Sequence, residues 1–485
     1  MSAGIDQGGP APEDPAPGPA TSSVPRPSGL VLSPFRALRY DPERAGDLAT
    51  LTSPPYDVID ADGVAALEAT SEHNVVRLIL PREEPGADQD RYARAARTLE
   101  QWRADGVLVP DDEPALYVYE QAAPDGHVQR GLLGALALTP PEDEIVLPHE
   151  NTMAGPVSDR LALYTAVDAD LEPIFLVYDG GGAASRAVAS VDRAATETPA
   201  IETPAIDTPA TAPSTASAPS GSRPPGTSPP RLLVDATLAD GLRHRLWALS
   251  DPVVLEAVAR DLHPRKALIA DGHHRYATYL RRQVARHEAG DGAGPWDSGL
   301  CLLVDATAFG PQVHPIHRYV PGVDVDELAT RTAAGAAVRR LSGGLDAALA
   351  ALAEAGATGP AFVLASGDGG RLHLVTEPDP AGLAAAVPPG RSAAWAALDV
   401  SVLHAYLVTA LWGLPDDTEQ VGYEHDVEGA LAAAARNGGT AVLLNPTPVE
   451  AVAQVAGSGE RMPRKSTLFT PKPSTGLVIR DHRDA

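Results

Sequence analysis

The chain has 485 residues, with 38 Lys and Arg against 64 Asp and Glu, a formal net charge of −26. That balance opposes a general nucleic-acid or anionic-membrane surface and leaves only a local basic pocket to handle anions. The one cysteine, Cys301, excludes an intramolecular disulfide and a cysteine-built zinc site. It sits in the apolar run GLCLLVDAT, where burial is the expected fate of a thiol. No apolar run reaches the roughly 18 residues of a membrane span and no signal pattern opens the chain, so a soluble cytoplasmic protein is expected.

Residues 1–29 are mostly Pro, Ala, Gly and Ser and are read as a disordered tail. An N-terminal α/β lobe is expected over 30–180. Within it, Pro54 and Pro55 stiffen LTSPPYDVID (51–60) and would hold Tyr56 and Asp57 rigidly. HNVVRLILP (73–81) reads as a strand with Arg77 inside it, and 88–106 as an amphipathic helix stopped at Gly106. ALYVYEQ (115–121) and RGLLGALALTP (130–140) read as paired strands around a turn. His149 and Glu150 are adjacent, and an imidazole and a carboxylate that tune each other can do acid–base work. Asp159 and Arg160 are expected to start a helix, with a strand from Pro173 to Tyr178.

From 181 to 230 the pattern breaks. TETPAIETPAIDTPATAP repeats a five-residue unit, and Ser, Pro and Gly follow, as in a low-complexity linker or Pro/Ala/Thr-rich insertion. A C-terminal α/β lobe is expected over 231–485. It opens as strand, turn, strand, and then a helix that Ser250 would cap, with Pro252 in its first turn. ALIADGHHRYATYLRRQVARH (267–287) follows as strand, polar turn and helix, a geometry that points backbone N–H groups at an anion. Gly272 permits close approach, and Arg275 adds a planar fork of donors. His314 and His317 have metal-ligand spacing but no third ligand beside them, so no metal site is expected there. LDVSVLHAYLVTALWGL (398–414) reads as a helix with His404 on its apolar side. MPRKSTLFTPKPSTGLVI (462–479) brings Lys465, Ser466, Thr467 and Lys472 before a last strand, like the end of a phosphate loop whose glycine-rich half is absent.

Taken in order, PPYDVI, NVVRLILP, HENT with the following DR, PIFLVYD, HRLWAL, ADGHHRYAT, LDVSVLH, LNPT and MPRKST with PKPSTGL resemble the bacterial and archaeal family known as domain of unknown function 1015. The tail and the ETPAI repeats look like additions to its pattern, and NTMAGPVS lacks a lysine that relatives often carry before the Asp-Arg pair. DGHHRYAT is also similar to the phosphate-binding motif of the ParB and sulfiredoxin superfamily, which includes ATP- or ADP-dependent kinases of free serine. That resemblance implies a ParB/sulfiredoxin-like strand-loop-helix phosphate site formed by Gly272, His273, His274 and Arg275, with Lys465, Ser466 and Thr467 joining it. It implies Glu150 or Asp271 as base, with His273 beside them as a third catalytic candidate. Tyr56, Asp57, His149 and Arg160 are left as candidate substrate contacts. Sulfiredoxin's cysteine has no counterpart, His273 standing in its place, which opposes a sulfinic-acid reductase.

The reading is thus an α+β or mixed α/β chain of two lobes, with the motif clusters meeting in one cleft. It would transfer a phosphoryl group from ATP or ADP, with CTP as a third option, using Mg²⁺. The acceptor would be a small hydroxyl-bearing metabolite, free serine being favoured by the resemblance. The alternative is a nucleotide-binding regulatory module without turnover. A metal-assisted hydrolase and a ParB-like DNA-associated protein rank below both. No nucleic-acid or membrane partner is expected, and homo-oligomerisation is left open.

Overall fold

The computed structural model describes residues 24–83, 90–192 and 228–484. The ETPAI repeats and most of the expected tail lie outside the described residues. The chain is mixed α/β and carries two principal sheets. The larger has nine strands and runs, from one edge, Val146–Leu147, Ala267–Asp271, Ile174–Tyr178, Ser298–Asp305, Val128–Ala137, Leu116–Ala122, Arg243–Leu249 and Arg231–Thr237, with Leu32–Ser33 paired onto the end of Val128–Ala137. The smaller sheet has six antiparallel strands drawn from residues 317–444.

The expected lobe boundary at 181–230 is corrected here. Strands from both sides of it share the larger sheet: Ile174–Tyr178 lies between Ala267–Asp271 and Ser298–Asp305. The strand Ile174–Tyr178 is wholly buried and takes both its neighbours, the apolar runs at 267–271 and 298–305, from beyond the compositional break. The stretch read as linker also begins as a helix, Gly182–Ala189, which buries Ala184, Ala187 and Val188.

Strand alternation divides the larger sheet between two cores. Leu116, Val118, Leu132, Ile174, Leu176, Ile269, Cys301 and Leu303 face one way, against helices Arg91–Ala104, Ala154–Val167 and His273–Glu288. Tyr117, Tyr119, Leu133, Phe175, Val177, Leu268, Leu302 and Val304 face the other way, into a core shared with Phe362, Leu364, Val442 and Leu444 of the smaller sheet. Both faces are buried, which is why these strands read as continuous apolar runs. Cys301 is fully buried in this sheet, as its sequence context suggested.

Three local expectations change. HNVVRLILP is not a strand: Val76–Ile79 is a short helix, because the Asn74 side chain accepts from the Val76 N–H and donates to the Thr50 and Thr52 carbonyls, closing a turn. The helix Pro252–Leu262 is capped by Asp251, not Ser250, its carboxylate accepting from Val253 and Val254. Asp159 and Arg160 lie inside the helix Ala154–Val167 rather than at its start.

One buried carboxylate ties the larger sheet to its helices. Asp170 accepts from Arg282 Nη2 at 2.6 Å, Arg480 Nη1 at 2.9 Å and the Leu300 N–H at 3.1 Å, with His482 Nε2 at 3.3 Å. Burial alone would push this carboxyl up; Arg282, His482 and Arg480 outweigh it and hold it well below the usual carboxylate range. A depressed carboxyl contributes stability that is present above its unfolded value, near pH 4, and is lost as pH falls toward the folded one. Asp170→Asn would leave two buried guanidinium groups without a countercharge, at a cost of about 3–5 kcal/mol. Denaturant unfolding should show that loss at neutral pH, and the variant should lack part of the wild-type decline in stability below about pH 4.

Candidate functional site

The site forms where three strand ends meet. Val146–Leu147 runs parallel to Ala267–Asp271, with Val146 opposite Ala267 and Leu147 opposite Leu268. That register carries His149 and Glu150 along the same direction as Ala270 and Asp271. Gly272, at φ 93°, turns the chain into the helix His273–Glu288, whose N-terminus has no side-chain cap. Its leading N–H groups therefore carry the positive end of the helix dipole into the cleft. The third contribution is the segment 471–475. Gln129 donates to the Pro471 carbonyl at 3.0 Å and Gln121 to the Lys472 carbonyl at 2.9 Å. Thr475 and Ser53 exchange backbone hydrogen bonds at 2.9 and 3.1 Å.

This framework sets Lys472 Nζ 2.6 Å from Asp271 Oδ1 and 3.6 Å from Asp57 Oδ2. Arg275 Nη2 donates to Asp271 Oδ2 at 2.5 Å, and its Nη1 to the Pro173 carbonyl at 2.5 Å. Behind them Glu172, fully buried, accepts from the Tyr56 N–H at 2.9 Å and so anchors the Pro54-Pro55 loop. On the other side of Gly272, His273 Nδ1 lies 3.6 Å from Glu150 Oε2. The His149 N–H donates to His273 Nε2 at 3.2 Å, and the Met153 N–H to His274 Nε2 at 3.0 Å. His149 Nε2 is 3.1 Å from Thr467 Oγ1.

The electrostatics separate the acids. Burial, then the Asp271 charge, raises the Glu150 carboxyl against the pull of Lys465 and Lys472. Burial also raises Glu172 against Arg275 and Arg160. For Asp57 burial is outweighed by Arg275 and Lys472, which hold it below the usual carboxylate range. Burial lowers His149 to about 4 and holds His273 well below the usual histidine value, so both rings are neutral at physiological pH. Lys472 is raised, burial being outweighed by Asp271 and Asp57. Glu150 is thus a raised carboxyl that the cleft leaves partly exposed.

The clusters at 57, 150 and 271 converge, as the sequence suggested, and Lys465 acts on Glu150 through its charge. Several individual assignments change. Arg275 is turned inward and is 1% exposed, because Asp271 and the Pro173 carbonyl hold its guanidinium. Arg160 is spent on Asp159 and the Ile79 carbonyl, with its guanidinium 4.4 Å from the Tyr56 ring centre. Tyr56 accordingly lies against Arg160 rather than presenting a free face. Ser466 is buried and donates to the Pro463 carbonyl within its own turn. His149 is fully buried and packs edge-on to His273 at 4.6 Å between centroids. Among the described residues no three His, Cys, Asp or Glu side chains gather as a metal group.

Two residues stand out here that the sequence argument underused. Lys472 bridges the two aspartates, and its only signal was a lysine between prolines in a strongly acidic chain. Glu172 was missed. Its signal was an acid placed directly before a proline-led apolar strand, where a buried partner is required.

A family model described as protein of unknown function (DUF1015) matches residues 32–209 and 227–401. The chain belongs to this family. The DUF1015 cleft falls inside the matched residues except for its segments 462–467 and 471–475. No curated protein matches the chain. Among solved structures, a free serine kinase mutant in complex with ADP is 12% identical, covering 75% of this chain and 97% of its own, at a TM-score of 0.33. A conserved hypothetical protein from Pyrococcus furiosus is 14% identical over 70% of this chain and 94% of its own, at 0.30. SbnI from Staphylococcus aureus, truncated at its C-terminus, is 9% identical over 72% and 87%, at 0.31.

Gly272 offers a direct test of the turn. A Cβ there would meet the Arg275 guanidinium at 3.1 Å, and its φ lies in the left-handed region. Gly272→Ala should destabilise the fold by about 1–3 kcal/mol in denaturant titration. Gly272→Asn, which tolerates this φ better, should lose less.

Proposed function

We propose that the cleft binds a nucleotide and transfers a phosphoryl group to the hydroxyl of a small metabolite, with Glu150 as the general base. The observation that carries this reading is Glu150 itself. It is a carboxylate with 37% of its side chain exposed, raised by burial, beside an uncapped helix N-terminus and within the field of two lysines. Those are the parts phosphoryl transfer needs: donors for phosphate oxygens, cations for their charge and a base for the acceptor. In the step, the acceptor oxygen bonds to phosphorus as its proton passes to Glu150. The bond from phosphorus to the nucleotide's bridging oxygen breaks, and that oxygen keeps the electron pair.

The corrected geometry redistributes the phosphate contacts. The N–H groups following Gly272, the half-buried His274 and the exposed Lys465 line the cleft, while Arg275 buttresses Asp271 from behind. Lys472 links the two aspartates, within ion-pair distance of both. A nucleotide is therefore the implied cofactor, ATP or ADP rather than CTP being favoured by the motif resemblance alone. Asp57, Asp271 and Glu150 are the carboxylates present to meet Mg²⁺. The ion needs only one or two of them, completing its shell with phosphate oxygens and water, which fits a site without three clustered ligands. When bound it would neutralise charge on the transferring phosphate. Serine is the acceptor to try first among hydroxy amino acids and sugars.

The full chain should bind ATP or ADP by calorimetry and consume it in the presence of one acceptor of such a panel. Glu150→Gln should lower turnover by about 10²–10⁴-fold while nucleotide affinity stays within a few-fold. In the wild type, kcat should fall as pH drops through the raised Glu150 value, above the ordinary carboxylate range, because the base must be deprotonated to act. Absence of nucleotide binding by the folded protein would remove this reading. Binding without turnover on any acceptor would favour a regulatory module.

A further inference from the structure

His273 occupies an unusual position in this cleft. Its ring is almost wholly buried, with 4% of its side chain exposed, yet it stands next to the most reactive carboxylate. Its two nitrogens have different neighbours. Nε2 faces the His149 N–H at 3.2 Å, and a backbone N–H can only donate. Nε2 must therefore present its lone pair. The ring is neutral, so the proton sits on Nδ1. Nδ1 is the nitrogen 3.6 Å from Glu150 Oε2. The backbone of residue 149 thus selects the tautomer, and the tautomer points an N–H at the side chain of residue 150.

We infer that His273 is a positioning residue acting through Glu150: locked as the Nδ1–H tautomer, it orients and stabilises the Glu150 carboxylate and carries no proton of the reaction itself. The separation of 3.6 Å is longer than a hydrogen bond in the unliganded cleft, and such contacts tighten when substrate binds. A role as general acid or base is closed to His273, because its only lone pair is already taken by a backbone N–H and its ring is shielded. His149 is the support of the arrangement. Its carbonyl accepts from the Met462 N–H at 2.8 Å and its Nε2 meets Thr467, so the loop 462–467 holds the peptide that sets the tautomer.

The groups facing Glu150 are His273, Asp271, Asp57, Lys465 and Lys472. Those facing His273 are Glu150, His149, His274, Arg461 and Arg275. No carboxylate other than Glu150 is in ion-pair range of His273 among the described residues. Removing the Nδ1–H should therefore act on Glu150 alone, raising its carboxyl because the charged form loses a nearby N–H dipole.

The catalytic meaning of this inference rests on Glu150 being the base, but its physical content is measurable without turnover. Nitrogen NMR of the histidine rings in the full chain should show His273 as the Nδ1–H tautomer, unchanged from roughly pH 5 to 8. Carbon NMR of labelled glutamate carboxyls, assigned with Glu150→Gln, should then follow the Glu150 titration in two variants. His273→Asn places an N–H where Nδ1 was and should keep the titration near that of the wild type. His273→Gln places its amide nearer the Nε2 position and should move it up, by less than about one pH unit in the unliganded cleft and by more with nucleotide bound. If nucleotide is consumed, the acid limb of kcat should move with it in His273→Gln and recover in His273→Asn. An Nε2–H tautomer in the wild type, protonation of His273 in that range, or equal shifts in the two variants would overturn the inference. The expected NMR results without any nucleotide binding would instead leave His273 as inferred and remove the phosphotransferase reading.

Discussion

Asp170 is the constraint on which the placement of the cleft depends. Its carboxylate is fully buried and gathers a helix through Arg282, a late segment through Arg480 and a central strand through Leu300. Arg282 lies on the helix that begins at His273, so fixing it against the sheet fixes the direction in which that helix starts. A buried ion cluster is weak evidence for net stability, since hydrophobic replacements can do as well. What it supplies here is a single arrangement. Each of Asp170's two oxygens has at least two neighbours of defined geometry, and no rotation of the helix preserves them all.

The cleft solves a charge problem by layering. Asp57, Glu150 and Asp271 would repel one another and any phosphate if left alone. Arg275 approaches Asp271 from beneath, and Lys472 approaches Asp271 and Asp57 from the side. Among the described residues Glu150 has no such partner at ion-pair distance except a neutral imidazole. Asp57 is thereby held below the usual carboxylate range, while Glu150 stays raised. A second layer, Glu172 with Tyr56 and Arg160, braces the first from within the core.

How far the sequence could be read follows from where each signal resides. The strand-glycine-helix turn at 267–288 was legible because a local change from apolar to polar periodicity is written in consecutive residues. The adjacency of Glu150 and His273 was legible only as two motifs, since the register of Val146 opposite Ala267 is a tertiary fact. Arg275 and Arg160 misled for one reason: an arginine's five donors serve an inner carbonyl as well as an outer phosphate, and only burial distinguishes them. The run at 73–81 misled because four apolar residues fit a strand or a helical turn equally, and the Asn74 side chain decides between them. The lobe boundary misled because a compositional break at 181–230 marks where the chain changes character, not where a sheet ends.

The pairing of Asp170 with Arg480 spans 310 residues, and this has a consequence for the order in which the molecule is made. At ordinary elongation rates about 15–60 s separate the synthesis of the two partners. During that interval Asp170 has Arg282 but not Arg480, and the strands at 174–178 and 298–305 can pair while the carboxylate has one of its two guanidinium partners. Lys472 is made only shortly before Arg480. Until Lys472 emerges, Asp57 and Asp271 have Arg275 as their compensating charge and lack the lysine that bridges them. A nascent chain carries the cleft's acids and Arg275 long before it carries the lysine that joins Asp57 to Asp271.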